Sequence, residues 1–193
     1  MWLSIGVLLT TLILAAPASG AIIIDDEDPG FTLIGADWKQ NVSSIQGYDG
    51  DWYSSLFSPV GSETASWEFS GLSTGVYEVS ITWKSYPTTS SSAAPYAVYD
   101  GAALILETTL DQSVTPSPDH LEVDIQGNDI PFEVLGNFSV TSGSLEVELR
   151  MPTGGFVTAD AVRIEAVPEP SLALLQASAL VLLAGLALRR RTR

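Results

Sequence analysis

The chain has 193 residues, no cysteine and a formal net charge of −15 at pH 7. Without cysteine it forms neither disulfides nor a lipid-modified cysteine, so a lipoprotein anchor is excluded. Four of the eight basic residues lie in the last five positions, which leaves four basic and 22 acidic residues in positions 21–167, a net charge of −18. This charge repels nucleic acid and anionic polymers unless a cation bridges them, so we expect no nucleic-acid partner. Solubility outside the cell explains the same charge.

Residues 1–21 have the pattern of a secretory signal peptide. A short apolar segment, Ile5 to Ala16, is followed by small residues from Pro17 to Ala21, as at signal cleavage sites. The segment is short for a membrane span. No Lys or Arg precedes it, which is atypical of a signal peptide. We therefore expect export of the chain.

Residues 22–167 have the length of one domain and show strand-like alternation without sustained helical periodicity. The clearest segments are 64–70 and 77–84, which predict a hairpin across Gly71 to Gly75 with Trp67 and Trp83 in the core. The other predicted strands are 21–25, 31–34, 38–45, 52–58, 95–99, 103–108, 120–126, 132–140, 145–150 and 156–166. Asp100-Gly101 predicts a tight turn and Gly136-Asn137 a bulge. Many short strands separated by turns predict an all-β antiparallel sandwich or jelly roll.

The C-terminal 26 residues, 168–193, contain three ordered parts. Pro168, Glu169 and Pro170 come first, an uncharged apolar run over residues 172–188 follows, and residues 189–193 hold the arginine cluster. A helix over the run would be about 25 Å long, near the lower limit for a membrane span. The arginines predict a cytoplasmic C-terminus, with the body outside.

This order of parts resembles the PEP-CTERM sorting signal of exported bacterial proteins. The resemblance implies that Pro168, Glu169 and Pro170 are read by an exosortase, a membrane protease-transpeptidase, and that the helix is then removed. It also implies a role in extracellular polysaccharide or biofilm. We expect the chain to be anchored in the inner membrane first and to reach the cell surface or matrix after processing.

Short motifs are spread over the body, and the most specific is Ala159-Asp160-Ala161-Val162-Arg163. The others are Ile24-Asp25, Gly30-Phe31, Tyr48, Trp52-Tyr53, Ala65-Ser66-Trp67, Gly75 to Val79, Ala94-Pro95-Tyr96 and Val134-Leu135-Gly136. Through these motifs the body resembles the golvesin or xanthan-lyase C-terminal domain, a carbohydrate-binding-like module. The resemblance implies a galactose-binding-like β-sandwich. Within the last motif, Asp160 and Arg163 are interpreted as a structural pair.

An acidic turn follows the first predicted strand and offers oxygen ligands. Asp25, Asp26 and Asp28 could bind calcium, helped by Asp49 and Asp51, because calcium takes six to eight oxygens. The turn lacks the EF-hand pattern. Solvated acidic side chains are the alternative interpretation.

Aromatic residues and carboxylates lie together in the loop near residue 50, where Tyr48, Asp49, Asp51, Trp52 and Tyr53 form a candidate carbohydrate site. Exposed aromatic rings stack on sugars, and carboxylates accept hydroxyl hydrogen bonds. The alternative is that these rings pack in the core or at a sheet edge.

A hydrolase pattern, Gly-x-Ser-x-Gly, occurs at residues 71–75. It normally requires a strand, a sharp turn and a helix, whereas here it joins two strands. A Ser73–His120 pair is the weakest hypothesis. The sequence favours a non-catalytic, exported protein that binds or assembles extracellular polysaccharide, and a purely structural surface protein is the main alternative.

Overall fold

The computed structural model describes residues 20–55, 62–152 and 156–168. The predicted signal peptide lies almost wholly outside these ranges, and the tail lies outside them beyond Pro168. The predicted membrane helix over residues 172–188 therefore also falls outside them. No helix within the described ranges is long and apolar enough to cross a membrane.

Thirteen strands and one short 3-10 turn make up the described ranges, which confirms the all-β prediction. In chain order they are β1 (Ile22–Ile24), β2 (Phe31–Ile34), β3 (Trp38–Val42), the 3-10 turn (Tyr48–Gly50), β4 (Asp51–Ser55), β5 (Thr64–Ser70), β6 (Gly75–Ile81), β7 (Ala94–Asp100), β8 (Ala103–Leu110), β9 (His120–Val123), β10 (Asp129–Val140), β11 (Ser144–Arg150), β12 (Val157–Ala159) and β13 (Val162–Ala166).

The strands form an antiparallel β-sandwich. One five-stranded sheet has the order β1-β13-β6-β10-β9, and the other has the order β2-β5-β11-β7-β8. A three-stranded sheet, β12-β4-β3, extends the fold beside them. Alternate residues of each strand face the core, as in β11, where Leu145, Val147 and Leu149 are fully buried and their neighbours are partly exposed.

The predicted hairpin between β5 and β6 is wrong. β5 pairs with β2 and β11, whereas β6 pairs with β10 and β13 in the opposite sheet. Alternation identifies the buried face of a strand but not its partner. Here the apolar faces of the two strands belong to opposite sheets, and both join one core that contains Trp67 and Ile81.

Other local predictions fare better. β7 and β8 form a hairpin at Asp100-Gly101, and the register of β10 shifts between Val134 and Gly136, as expected of a bulge. Trp67 and Trp83 are buried. The single strand predicted over residues 156–166 is wrong, because Asp160 and Ala161 separate β12 from β13. This interruption places the carboxyl group of Asp160 beside the loop before β4.

Candidate functional site

Three carboxylates converge beside the end of β1. Asp25 and Asp26 follow β1 directly, and Asp51 begins β4. One carboxylate oxygen from each residue lies within 4.8 Å of those from the other two. We call Asp25, Asp26 and Asp51 the acidic cluster.

Backbone hydrogen bonds hold the turn after β1 in place. The Asp25 N–H donates to Asp28 Oδ2 over 3.0 Å, and the Asp28 N–H donates to the Asp25 carbonyl over 3.1 Å. Gly30 has φ +106°, and a Cβ there would lie 2.7 Å from the carbonyl oxygen of Glu68. Glycine thus lets the turn approach β5, and this approach fixes the direction of the first two carboxylates.

Two members of the cluster are buried and have carboxylate oxygens that lack a hydrogen-bond donor. Asp25 is 6% exposed and Asp26 is 3% exposed. Asp25 Oδ1 and both carboxylate oxygens of Asp26 accept no hydrogen bond from any residue in the described ranges. Such groups are costly to leave unsatisfied, so the cluster requires another source of compensation.

Burial and mutual repulsion make these carboxyl groups hard to ionise. Burial, with added repulsion from Asp51, Asp49 and Asp28, raises the pKa of Asp25 to about 7. Burial, with repulsion from Asp25, Asp51 and Asp160, raises the pKa of Asp26 to about 9. Without a cation, Asp26 therefore retains its proton at neutral pH and donates it toward Asp51.

Asp51 is the more accessible member of the cluster. Its Oδ2 accepts a 2.9 Å hydrogen bond from Gln40 Nε2, which also donates to Glu27. Burial raises the pKa of Asp51 as well. Gln40, on the neighbouring strand β3, thus orients this carboxylate and leaves Oδ1 for another contact.

Asp160 is a fourth buried acid next to the cluster. It is 1% exposed, and its Oδ1 accepts a 2.9 Å hydrogen bond from the Tyr48 N–H. Burial holds the pKa of Asp160 well above its ordinary value, and Asp25 and Asp51 contribute repulsion. The predicted pairing of Asp160 with Arg163 is wrong, because Arg163 binds Glu122 over 2.6 Å and pairs with Glu165.

The other predicted carboxylates have different roles. Asp28 is exposed and accepts the hydrogen bond that closes the turn, so it is not a member of the acidic cluster. Asp49 Oδ1 accepts a 2.9 Å hydrogen bond from the Ile125 N–H, which ties the two loops together. The three residues that converge were thus all among the sequence-predicted ligands, whereas Asp28 and Asp49 lie outside the cluster.

The predicted aromatic platform is not formed. Trp52 is 3% exposed and packs 6.5 Å from the Tyr86 ring, so the prediction that it stacks on a sugar is wrong. Tyr53 packs against Phe31 with ring centres 5.9 Å apart, and Tyr48 meets Phe132 edge-on at 5.8 Å. Trp52 and Tyr53 are adjacent on β4, and adjacent strand residues face opposite sides of a sheet.

A cleft lies among the loops that border Asp160. Its volume is about 180 Å³. It is lined by Ile45, Gln46, Gly47, Thr82, Trp83, Lys84, Ser85, Thr115, Pro116, Asp129, Ile130, Pro131 and Asp160. We call it the loop-end cleft. Its lining residues come from segments far apart in the chain, and the sequence did not predict that they come together.

The loop-end cleft has a fixed floor and a polar rim. Trp83 is buried and its Nε1–H donates to the Val114 carbonyl over 2.9 Å, while Asp160 is held by Tyr48. Lys84 is half-buried, 5.5 Å from the centre of the Tyr86 ring, and forms no ion pair with a described residue. Lys84 is also the only basic residue among the described residues that line the cleft.

Gly47 allows the loop to form one wall of the cleft. Its φ is +77°, and a Cβ there would clash with the Asp51 carbonyl and lie 3.0 Å from the Trp52 ring. The same loop continues through Tyr48 to Asp51. One loop, residues 47–51, therefore connects the cleft at Gly47 with the acidic cluster at Asp51.

A larger groove, of about 380 Å³, runs beside β1 and β5. It is lined by the apolar residues Ile22, Ile23, Ile24, Pro29, Phe69 and Leu72 and by the polar residues Asp28, Glu68 and Ser70. The apolar lining offers few partners for sugar hydroxyls. The loop-end cleft is the better candidate for a polar ligand.

The pair required for a serine hydrolase is not present. Ser73 lies in the connection before β6, while His120 Nε2 is 2.6 Å from Glu78 Oε1, in the middle of that strand. The carbonyl of Ser73 accepts a 3.0 Å hydrogen bond from the Tyr77 hydroxyl, at the start of β6. His120 is thus paired with Glu78, and no hydrogen bond joins it to Ser73 within the described residues.

Residues 22–166 match the family described as Golvesin C-terminal domain. The chain belongs to this family. The match covers the whole sandwich, and thus confirms the resemblance of the body. No curated protein matches the chain.

Solved structures share the fold of this Golvesin C-terminal domain. Paenibacillus xanthan lyase aligns with a TM-score of 0.61 and 21% identity, covering 77% of this chain and 13% of the lyase. A family 35 carbohydrate binding module from Clostridium thermocellum aligns with a TM-score of 0.50 and 14% identity, covering 77% of this chain and all of the module. These identities establish the fold alone, and the chain spans only a small part of the lyase.

Proposed function

We propose that this protein is an exported, non-catalytic component of the cell envelope or biofilm matrix that binds extracellular polysaccharide in the loop-end cleft. The observation that carries the proposal is a polar cleft with a fixed floor, on a sandwich that has the fold of a carbohydrate binding module. Family membership supports the same class of ligand.

Hydrogen bonding, rather than aromatic stacking, is the mode of recognition that the cleft supports. The rim offers the ammonium of Lys84, the amide of Gln46, the hydroxyl of Ser85 and the carboxylate of Asp129. Sugars present many hydroxyl groups, which match such alternating donors and acceptors. Lys84 adds a charged donor for a hydroxyl or ring oxygen of the sugar.

The test compares two single-lysine variants of the full-length protein by isothermal titration with the host's own extracellular polysaccharide. Lys84→Ala removes the ammonium at the cleft, and Lys39→Ala removes the exposed ammonium on β3 with the same change in net charge. We expect Lys84→Ala to weaken binding by about fivefold or more, since one charge-assisted hydrogen bond is lost. Lys39→Ala should bind as the wild type does.

Equal weakening in both variants would mean that the polysaccharide responds to net charge and not to the cleft. A wild-type protein that does not bind would favour the purely structural alternative. The burial of Trp52 is the observation that favours that alternative, since it removes the most obvious stacking surface.

Export and sorting complete the proposal. The N-terminal pattern and the ordered tail support delivery through the membrane, followed by processing by an exosortase. Replacing Pro168, Glu169 and Pro170 together by alanine in the host should retain the unprocessed chain in the membrane fraction. Fractionation with mass spectrometry checks this, and normal release of the variant would rule out a role for the triplet.

A further inference from the structure

The carboxylates of the acidic cluster repel one another, and no described basic side chain forms an ion pair with them. Asp25 and Asp26 are almost wholly buried, and Asp51 lies beside them. The ion pairs formed within the described ranges involve other acids, namely Glu78, Glu107, Glu122, Glu148 and Glu165. Repulsion among the clustered carboxylates is therefore not offset by any described Lys, Arg or His.

The buried oxygens are also left without hydrogen-bond donors. Asp25 Oδ1 and both oxygens of Asp26 have no donor in the described ranges, and the amides of Asp25 and Asp28 are already used within the turn. Buried polar atoms in native proteins nearly always have a partner. The geometry therefore calls for a ligand that satisfies several oxygens at once.

We propose that Asp25, Asp26 and Asp51 bind one calcium ion. Oxygen-only ligands favour a hard cation over zinc or copper, which prefer imidazole and thiolate. Calcium accepts carboxylates in one- or two-oxygen modes and irregular geometry, whereas magnesium demands a near-ideal octahedron and keeps several waters. Three carboxylates provide up to six oxygens, and water completes the shell.

The calcium ion links parts of the chain that are distant in sequence. Asp25 and Asp26 belong to the turn after β1, and Asp51 belongs to β4. The loop that leads into β4 forms a wall of the loop-end cleft through Gly47. Calcium thus fastens the first strand to this loop, and its binding does not depend on whether the cleft takes a polysaccharide.

The test is calcium titration of the full-length protein by isothermal titration calorimetry, after removal of metal by chelation, in about 100 mM NaCl to screen surface charge. We expect one site per chain. Asp26→Asn removes a ligand charge with little change of shape and should weaken calcium binding by at least about tenfold. Asp51→Asn should do the same from the other strand.

Asp28→Asn is the matched control. It removes the same charge from the same turn, but its amide oxygen still accepts the hydrogen bond from the Asp25 N–H, so calcium affinity should change less than about threefold. Far-ultraviolet circular dichroism verifies that each variant is folded. If wild-type protein shows no single site, or if Asp28→Asn weakens binding as much as Asp26→Asn, the proposal is overturned, and adventitious binding to an acidic surface remains.

Discussion

Two turns of this protein carry aspartates at the end of a strand, and the structure surrounds these aspartates in different ways. The carboxylate of Asp100, in the β7–β8 turn, accepts hydrogen bonds from the amides and hydroxyls of Thr141 and Ser142 at distances of 2.5–3.2 Å. Asp26, in the turn after β1, accepts none from the described residues. Hydrogen bonds from the protein thus stabilise the charged carboxylate of Asp100, whereas the carboxylate of Asp26 requires a proton or a cation.

The pKa values of the two acids move in opposite directions for this reason. Hydrogen bonds from Ser142 and Thr141 hold the pKa of Asp100 well below its ordinary value, whereas burial raises the pKa of Asp26 to about 9. An acidic turn therefore serves as a structural brace where donors converge on it. Where donors are absent, it becomes a candidate ion site.

The largest expected effect is a pH-dependent loss of stability that calcium reverses. Without calcium, the folded protein binds protons at Asp25 and Asp26 more tightly than the unfolded chain, in which such groups titrate near 3.8. Their contribution to stability is full below that value and is lost as pH rises through about 7 and about 9. The melting temperature in a chelator should thus fall from about pH 4 to about pH 9.

Calcium should remove most of this fall, because it replaces the protons and interacts favourably with the ionised carboxylates. At a concentration about 100 times its dissociation constant, a ligand adds about 2.7 kcal/mol, which corresponds to about 5–10 °C for a chain of this size. Differential scanning calorimetry with chelator or with calcium measures both effects. A melting temperature that is independent of pH in chelator would show that Asp25 and Asp26 are not the groups that limit stability.

Sequence reasoning located the fold better than the site, and particular residues show why. Alternation in β5 and β11 identified the residues that face the core, because period-2 patterning reports burial directly. The same patterning in β5 and β6 could not reveal that the two strands belong to different sheets. Pairing depends on long-range packing, which adjacent residues do not encode.

The candidate site shows the same limit more strongly. Asp25, Asp26 and Asp51 were all predicted as possible ligands, but which of the acids converge depends on the direction of each side chain and on a contact between residues 25 positions apart, so the sequence could not exclude Asp28 and Asp49. The sequence predicted that Asp160 pairs with Arg163. Instead, Asp160 is buried beside the cluster, because the chain breaks between β12 and β13, and this break was not predicted. The burial of Trp52 was foreseeable in part, because Trp52 and Tyr53 must face opposite sides of β4.

A smaller effect should separate the two turns in the absence of calcium. At about pH 8 in chelator, Asp100→Asn should lower the melting temperature by about 2–4 °C, because the amide retains one acceptor oxygen and loses the other. Asp26→Asn should leave the melting temperature unchanged or raise it, because the neutral amide needs no proton and avoids repulsion from Asp25 and Asp51.

Calorimetry of both variants beside the wild type checks this difference in sign. The two substitutions are chemically identical, so a difference between them reports the surroundings of each carboxylate and not the side chain itself. If Asp26→Asn destabilised the chelated protein as much as Asp100→Asn does, Asp26 would require its charge even without calcium. A donor or cation already within the folded chain would then satisfy it, and the contrast between the two turns would no longer hold.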